Sequence, residues 1–167
     1  SVGVSRCTTR AQLRDALVHA ARYDRRIVVE QGLDAREIEV AVLGDGGPST
    51  LISAPGEIIL PSGLWYDYGT KYQSDVAHCS IPAELSAEQT SELRSAARQA
   101  FVAMDCFGLA RIDFFVDREH GRVWLNELNT MPGCTSISMY PKLMAHSGMP
   151  LRAVVTALCE LALKRAS

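Results

Sequence analysis

Two apolar runs joined by a polar turn limit this chain most. Residues 109–116 and 122–129 read as strands, and Asp117, Glu119, His120 and Gly121 between them read as a hairpin turn. Strands joined this way pair antiparallel. Around them the pattern alternates between helix and strand. Thr9 and Gln12 have the spacing of a capping box, and Leu13, Leu17, Ala20 and Ala21 recur at helical spacing to about Tyr23. Residues 26–30 are β-branched and read as a short strand, followed by a turn at residues 31–34. Residues 37–43 alternate polar and apolar, as a half-buried strand does, and residues 50–53 and 57–60 read as two more strands. Ser86 and Gln89 form a second capping box, ahead of a helix face of Leu93, Ala97, Ala100, Phe101 and Met104. Pro150 opens a last helix with Leu151, Val154, Val155, Leu158, Leu161 and Ala162 on one face. The expected class is α+β with antiparallel sheet.

The central hairpin also carries the strongest chemical signal. Side chains alternate faces along a strand, so Arg111 and Asp113 share one face, as do Glu127 and Asn129. If the hairpin pairs these faces, Asp113 and Glu127 converge, because cross-strand neighbours lie roughly 4.5–5.5 Å apart. Two carboxylates and an amide oxygen are hard ligands, suited to Mg²⁺ rather than zinc. Taken alone, the same acids also fit a solvated hairpin. The flanking Ile112, Phe114, Phe115, Val123 and Leu125 shift the balance toward a core hairpin, in which buried acids need a partner or a metal. Residues 130–138 are dense in small residues, and their N–H groups and hydroxyls suit either an anion site or a plain turn capping a helix at Ser136 or Ser138. Between Pro61 and about His78 the pattern breaks into an irregular stretch holding Trp65, Tyr66, Tyr68 and Tyr72, which reads as an ordered functional loop.

Composition narrows the partners. A formal net charge of −2 over 167 residues gives no basic field for nucleic acid. No apolar run is long enough to cross a bilayer. The five cysteines lie far apart and form no Cys-x-x-Cys pair, which argues against a zinc site and a disulfide framework and makes the cytoplasm the expected compartment. His78, His120 and His146 read as structural or exposed.

The ordered motifs resemble the D-alanine–D-alanine ligase family over essentially the whole chain. The resemblance rests on Gly108-Leu109-Ala110-Arg111-Ile112-Asp113-Phe114-Phe115, then Leu125-Asn126-Glu127-Leu128-Asn129-Thr130-Met131-Pro132-Gly133, then Ser136-Ile137-Ser138-Met139-Tyr140-Pro141. Ser1-Val2-Gly3-Val4-Ser5 is similar to the family's Ser-rich loop, and Trp65-Tyr66-Asp67-Tyr68 with Lys71-Tyr72 is similar to its mobile loop. The resemblance implies the carboxy-terminal portion of an ATP-grasp fold, with residues 1–60 belonging to the central subdomain and residues 61–167 to the active-site loop and carboxy-terminal subdomain. It implies ATP, D-alanine and two Mg²⁺ ions, with Mn²⁺ a possible substitute. Asp113, Glu127 and Asn129 would bind the metals. Arg111 and the Gly133 N–H would stabilise an oxyanion, and Ser138 and Met139 would hold the carboxylate of the second D-alanine. Glu30 and Leu33 would meet adenine, Glu37 the ribose and Lys71 the terminal phosphate. Judged without the resemblance, Glu37 reads as an exposed strand residue, Lys71 as a solvated loop charge and Tyr72 as loop packing.

The Lys71-Tyr72 pair resembles the D-alanyl-D-alanine-forming group, and D-serine remains an alternative acceptor. Gly69-Thr70 departs from the acidic residue and Ala that many relatives carry, and Cys134 stands where a larger residue is common. The resemblance also implies an absent amino-terminal half, a homodimer at full length, and a chain that by itself forms no dipeptide. The remaining alternatives are an inert nucleotide- or Mg²⁺-binding module, or a structural fragment that needs its other half.

Overall fold

A computed structural model describes residues 2–59 and 78–166. Among the described residues, four helices and six strands follow one another: α1 (Arg10–Ala20), β1 (Ala35–Gly44), β2 (Leu51–Ile52), β3 (Gly56–Ile59), β4 (His78–Ser80), α2 (Ala87–Ala103), β5 (Gly108–Asp117), β6 (Val123–Asn129), α3 (Met139–His146) and α4 (Leu151–Ala166). All strand pairs are antiparallel, in the order β4-β3-β1-β5-β6, with β2 paired to β1. Strands from both sides of residue 60 therefore share one sheet.

The sheet has two differently built faces. Even-numbered residues of β5 are buried, and odd-numbered ones are half-buried. On the even side, Ile38, Val40 and Val42 of β1 join Ala110, Ile112, Phe114 and Val116 beneath Leu93, Ala97 and Phe101 of α2. The capping box at Ser86 and Gln89 starts that helix and directs its apolar stripe inward. On the odd side, Ala41, Leu43 and Ile58 meet Met139, Tyr140, Leu143 and Met144 of α3 and Val154 of α4. Gly56 lets α3 approach, since a Cβ there would stand 2.8 Å from Leu143 and 3.4 Å from the Met139 sulfur.

Several sequence expectations need correction. Residues 26–30 form no strand, and residues 31–34 no turn; the whole stretch is exposed. A β-branched run becomes a strand only where a neighbour completes its hydrogen-bond ladder. The first helix has its capping box but ends at Ala20 and contains no fully buried residue. Strand β1 is not half-buried: every residue from Ile38 to Gly44 is buried, with Ile38, Val40 and Val42 packed in the α2 cluster and Ala41 and Leu43 in that of α3 and α4. Met104, Leu125 and Val155 are exposed rather than core. The irregular aromatic stretch lies outside the described residues.

Candidate active site

Register places the charged residues in rows across the odd face. Asp113 pairs with Glu39 on β1 and with Glu127 on β6, so three carboxylates line up across β1, β5 and β6. The next row holds Ala41, Arg111 and Asn129, and the row on the other side holds Glu37, Phe115 and Trp124. The expected convergence of Asp113 with Glu127 is thus present, and Arg111 faces Asn129 beside it. It depends on a β-bulge: Phe114 pairs with Leu125, which leaves Asn126 as an extra residue directly beside the site. A bulge bends a strand and re-aims its side chains, a common device at functional sites.

Arg111 organises the charges. Its Nε donates to Asp113 Oδ1 at 2.8 Å and its Nη2 donates to Asp113 Oδ2 at 2.7 Å. The same Nε lies 3.1 Å from Glu39 Oε2. Because the Nε hydrogen points at Asp113, the Glu39 contact is an ion pair rather than an aligned hydrogen bond. Glu39 is only 4% exposed, whereas Glu127 at the other end of the row is exposed. The sequence reading missed Glu39. The available signal was its parity with Glu37 on a strand that turns fully apolar one residue later.

Asp113, Glu127 and Asn129 offer hard oxygen donors on neighbouring strands, the chemistry a Mg²⁺ site requires. No group of three or more His, Cys, Asp or Glu side chains poised to hold a metal occurs among the described residues. The donor set is therefore two carboxylates and an amide, which leaves room for phosphate oxygens and water in the coordination shell. Asn129 Oδ1 accepts the Met131 N–H at 3.1 Å and starts the following loop.

That loop is tied to the start of α3. Ser138 is the residue before the helix; its Oγ accepts the Thr135 N–H at 3.2 Å and lies 2.8 Å from Thr135 Oγ1. A Cβ at Gly133 would stand 2.8 Å from the same Oγ, so Gly133 and Ser138 are immediate neighbours. The Tyr140 hydroxyl donates to the Val42 carbonyl at 3.0 Å and pins the helix to β1. Burial pushes the Tyr140 phenol well above its usual range, so it stays a donor throughout the physiological range. Met139 packs over Gly56, and Gly56 is the β3 neighbour of Glu39, so the helix start lies at one end of the carboxylate row. The Met139 side chain is buried, which leaves its backbone N–H as the polar group it can offer a ligand.

The remaining expected residues are spread out. Glu37 shares the site face of β1, beside Phe115. Glu30 and Leu33 sit in the exposed stretch before β1. Lys71 and Tyr72 lie outside the described residues. Among the described residues, no helix is long and apolar enough to cross a membrane.

The family model described as "D-ala D-ala ligase C-terminus" matches residues 1–160. A D-alanine–D-alanine ligase of Acetivibrio thermocellus is 47% identical over 165 residues, which cover 99% of this chain and 43% of that protein. The solved D-alanine-D-alanine ligase of Coxiella burnetii superposes with a TM-score of 0.84 at 38% identity, covering 99% of this chain and 42% of its own. The VanG D-Ala:D-Ser ligase of Enterococcus faecalis superposes with a TM-score of 0.81 at 31% identity, covering 95% and 45%. The chain thus spans somewhat less than half the length of these proteins. Its α+β architecture is that of the carboxy-terminal part of an ATP-grasp ligase, and the chain belongs to the D-alanine–D-alanine ligase family.

Proposed function

We propose that this chain supplies the metal–phosphate and acceptor side of an ATP-dependent ligase that joins two D-alanines to make D-alanyl-D-alanine for peptidoglycan. The observation that carries the reading is the row Glu39–Asp113–Glu127 with Arg111 beside it, on a sheet whose family membership is clear. ATP would phosphorylate the carboxylate of one D-alanine, and the amine of the second would attack the acyl phosphate. Asp113, Glu127 and Asn129 would hold two Mg²⁺ ions, with Mn²⁺ a possible substitute. When bound, these cations neutralise phosphate charge and orient the transferring group. Arg111 and the Gly133 N–H would meet the oxyanion of the tetrahedral intermediate, where fixed donors act most strongly. Ser138 and the Met139 N–H, at the start of α3, would take the acceptor's carboxylate. Glu37 would take the ribose hydroxyls, Glu30 and Leu33 the adenine, Lys71 the terminal phosphate, and Tyr72 would bear on the acceptor.

D-serine is the second acceptor to consider, favoured by the likeness to the VanG D-Ala:D-Ser ligase. D-alanine is preferred here because the relatives near 46% identity are named D-alanine–D-alanine ligases. A cytoplasmic setting and a full-length homodimer belong to the same reading. So does an inactive isolated chain, because both reactants must be held in register and the relatives are about twice as long.

Calorimetry of Mg²⁺ and ATP against the purified chain tests the proposal. Saturable, Mg²⁺-dependent ATP binding is expected, and an Asp113→Ala/Glu127→Ala double variant should lose it. ATP binding that persists unchanged in the double variant would remove the carboxylate row from the function. D-alanine-dependent phosphate release by the chain alone would refute its expected inactivity.

A further inference from the structure

Glu39 has no task in the reading above, yet it is the most deeply buried acid of the site. Its Oε2 is sealed from solvent, and the residue is 4% exposed. A carboxylate held that deep needs a charge partner, and Arg111 Nε stands 3.1 Å away. Arg111 is shared: both oxygens of Asp113 are occupied by the same guanidinium, at 2.8 and 2.7 Å. Asp113 is also the acid that faces Glu127 across β5 and β6. An oxygen of Asp113 that turns toward a cation on the Glu127 side must loosen its hold on the arginine. Glu39, with its Oε2 3.1 Å from Arg111 Nε, then stays beside the guanidinium as a buried counter-charge.

The row supplies that anion on the opposite flank. Glu39 lies on β1 and Glu127 on β6, with Asp113 between them. The flank facing Arg111 is buried and the flank facing Glu127 is open to solvent, which separates an arginine anchor from a cation ligand. We propose that Glu39 is a positioning residue: it keeps the Arg111 guanidinium fixed at the seam of β1 and β5, so that Asp113 can turn toward Glu127 and a divalent cation. This rests on the cation role of Asp113 and Glu127 and on the oxyanion role of Arg111 proposed above.

The test reads the Arg111 Nε–H directly, by its rate of exchange with water in NMR spectra of the 167-residue chain, first without metal. In Asp113→Asn, which weakens that carboxylate's grip, exchange should stay within about twofold of the parent, because Glu39 still anchors the guanidinium. In Glu39→Gln it should also stay close to the parent, because both Asp113 oxygens still hold the guanidinium, whereas the Asp113→Asn/Glu39→Gln double variant should raise it about tenfold. Release already in Asp113→Asn alone, or no release in the double variant, overturns the proposal. Should Glu39→Gln lose the dispersed spectrum of a folded chain, the Asp113→Asn arm decides alone, since release there is incompatible with a Glu39 anchor. Added Mg²⁺ should then leave the Arg111 signal sharp in the parent and broaden it in Glu39→Gln. If Mg²⁺ shifts nothing in the parent, the cation reading fails by itself, and the metal-free exchange still judges Glu39.

Discussion

The two faces of the sheet solve different problems with the same strands. On the α2 face β1, β5 and α2 interlock as Ile38, Val40, Ile112, Phe114, Leu93 and Phe101, and the buried acid beside Ile38, Glu57, has both oxygens bonded by Arg36. On the opposite face the apolar packing of α3 and α4 stops at Ala41 and Ile58, and the next positions along β1 and β5 are Glu39, Arg111 and Asp113. One face therefore holds the strands together, and the other uses the rigidity so obtained to hold like charges side by side. Three carboxylates in one row repel each other, so they persist only because the backbone beneath them is fixed and Arg111 offsets part of the charge.

The sharpest way to break this contrast is to substitute one residue on each face. Phe114 is fully buried, and Phe114→Ala should cost about 3–5 kcal/mol, because a large cavity opens where α2 meets the sheet. Glu127→Ala, one rung away on the neighbouring strand and exposed, should change stability by no more than about 0.5 kcal/mol while removing a candidate cation ligand. Urea denaturation midpoints check both. A large loss of stability in Glu127→Ala would mean that the row is part of the framework rather than supported by it.

A smaller effect is expected where the faces meet. Tyr140 reaches from α3 to the Val42 carbonyl, and its ring belongs to the apolar cluster. Tyr140→Phe keeps the ring and removes one buried hydrogen bond, so a loss of about 1 kcal/mol is expected. The thermal midpoint of the variant measures it. Because the bond fixes the start of α3 beside Gly56 and Glu39, amide exchange at Met139 should rise in the same variant.

What was legible in the sequence follows from how local the determining physics is. Both capping boxes were legible, because a cap is set by residues three apart. The hairpin was legible too, because a short turn fixes the register of its strands; that register alone would set Asp113 opposite Asn126, and the bulge brings Glu127 there instead. The neighbour on the other side of β5 was not legible. Which strand lies beside Asp113 depends on β1, some seventy residues earlier, and only that long-range pairing brings Glu39 to Arg111. The bulge at Asn126 was hidden as well, since nothing local in residues 125–127 marks it, and Leu125 looks apolar enough for the core yet is exposed on the edge strand β6. Residues 26–30 failed in the opposite sense: Ile27, Val28 and Val29 have the composition of a strand and remain exposed without one. Composition proposes an element, and a partner surface decides it.

The weakest of the expected effects lies at the hairpin tip and separates the turn from the site it serves. Asp117 Oδ1 accepts the His120 N–H at 2.6 Å. That backbone bond, more than the neighbouring His120 ring or Trp124, holds the Asp117 carboxyl below the ordinary carboxylate range. A group whose native value is lowered contributes stability that is fully present above its unfolded value, about 3.9, and is lost as pH falls through the lower native value. The turn should therefore be intact at neutral pH and loosen only in acid, below about pH 4. Asp117→Asn should lower the thermal midpoint slightly at pH 7 and by progressively less below pH 4, where the parent has lost the same charge. An effect that persists undiminished in acid would place the role of Asp117 in the shape of the turn rather than in its charge. Either way, the Arg111–Asp113–Glu39 contacts should not move with it, because three residues, Phe114, Phe115 and Val116, each paired to both β1 and β6, separate Asp113 from Asp117.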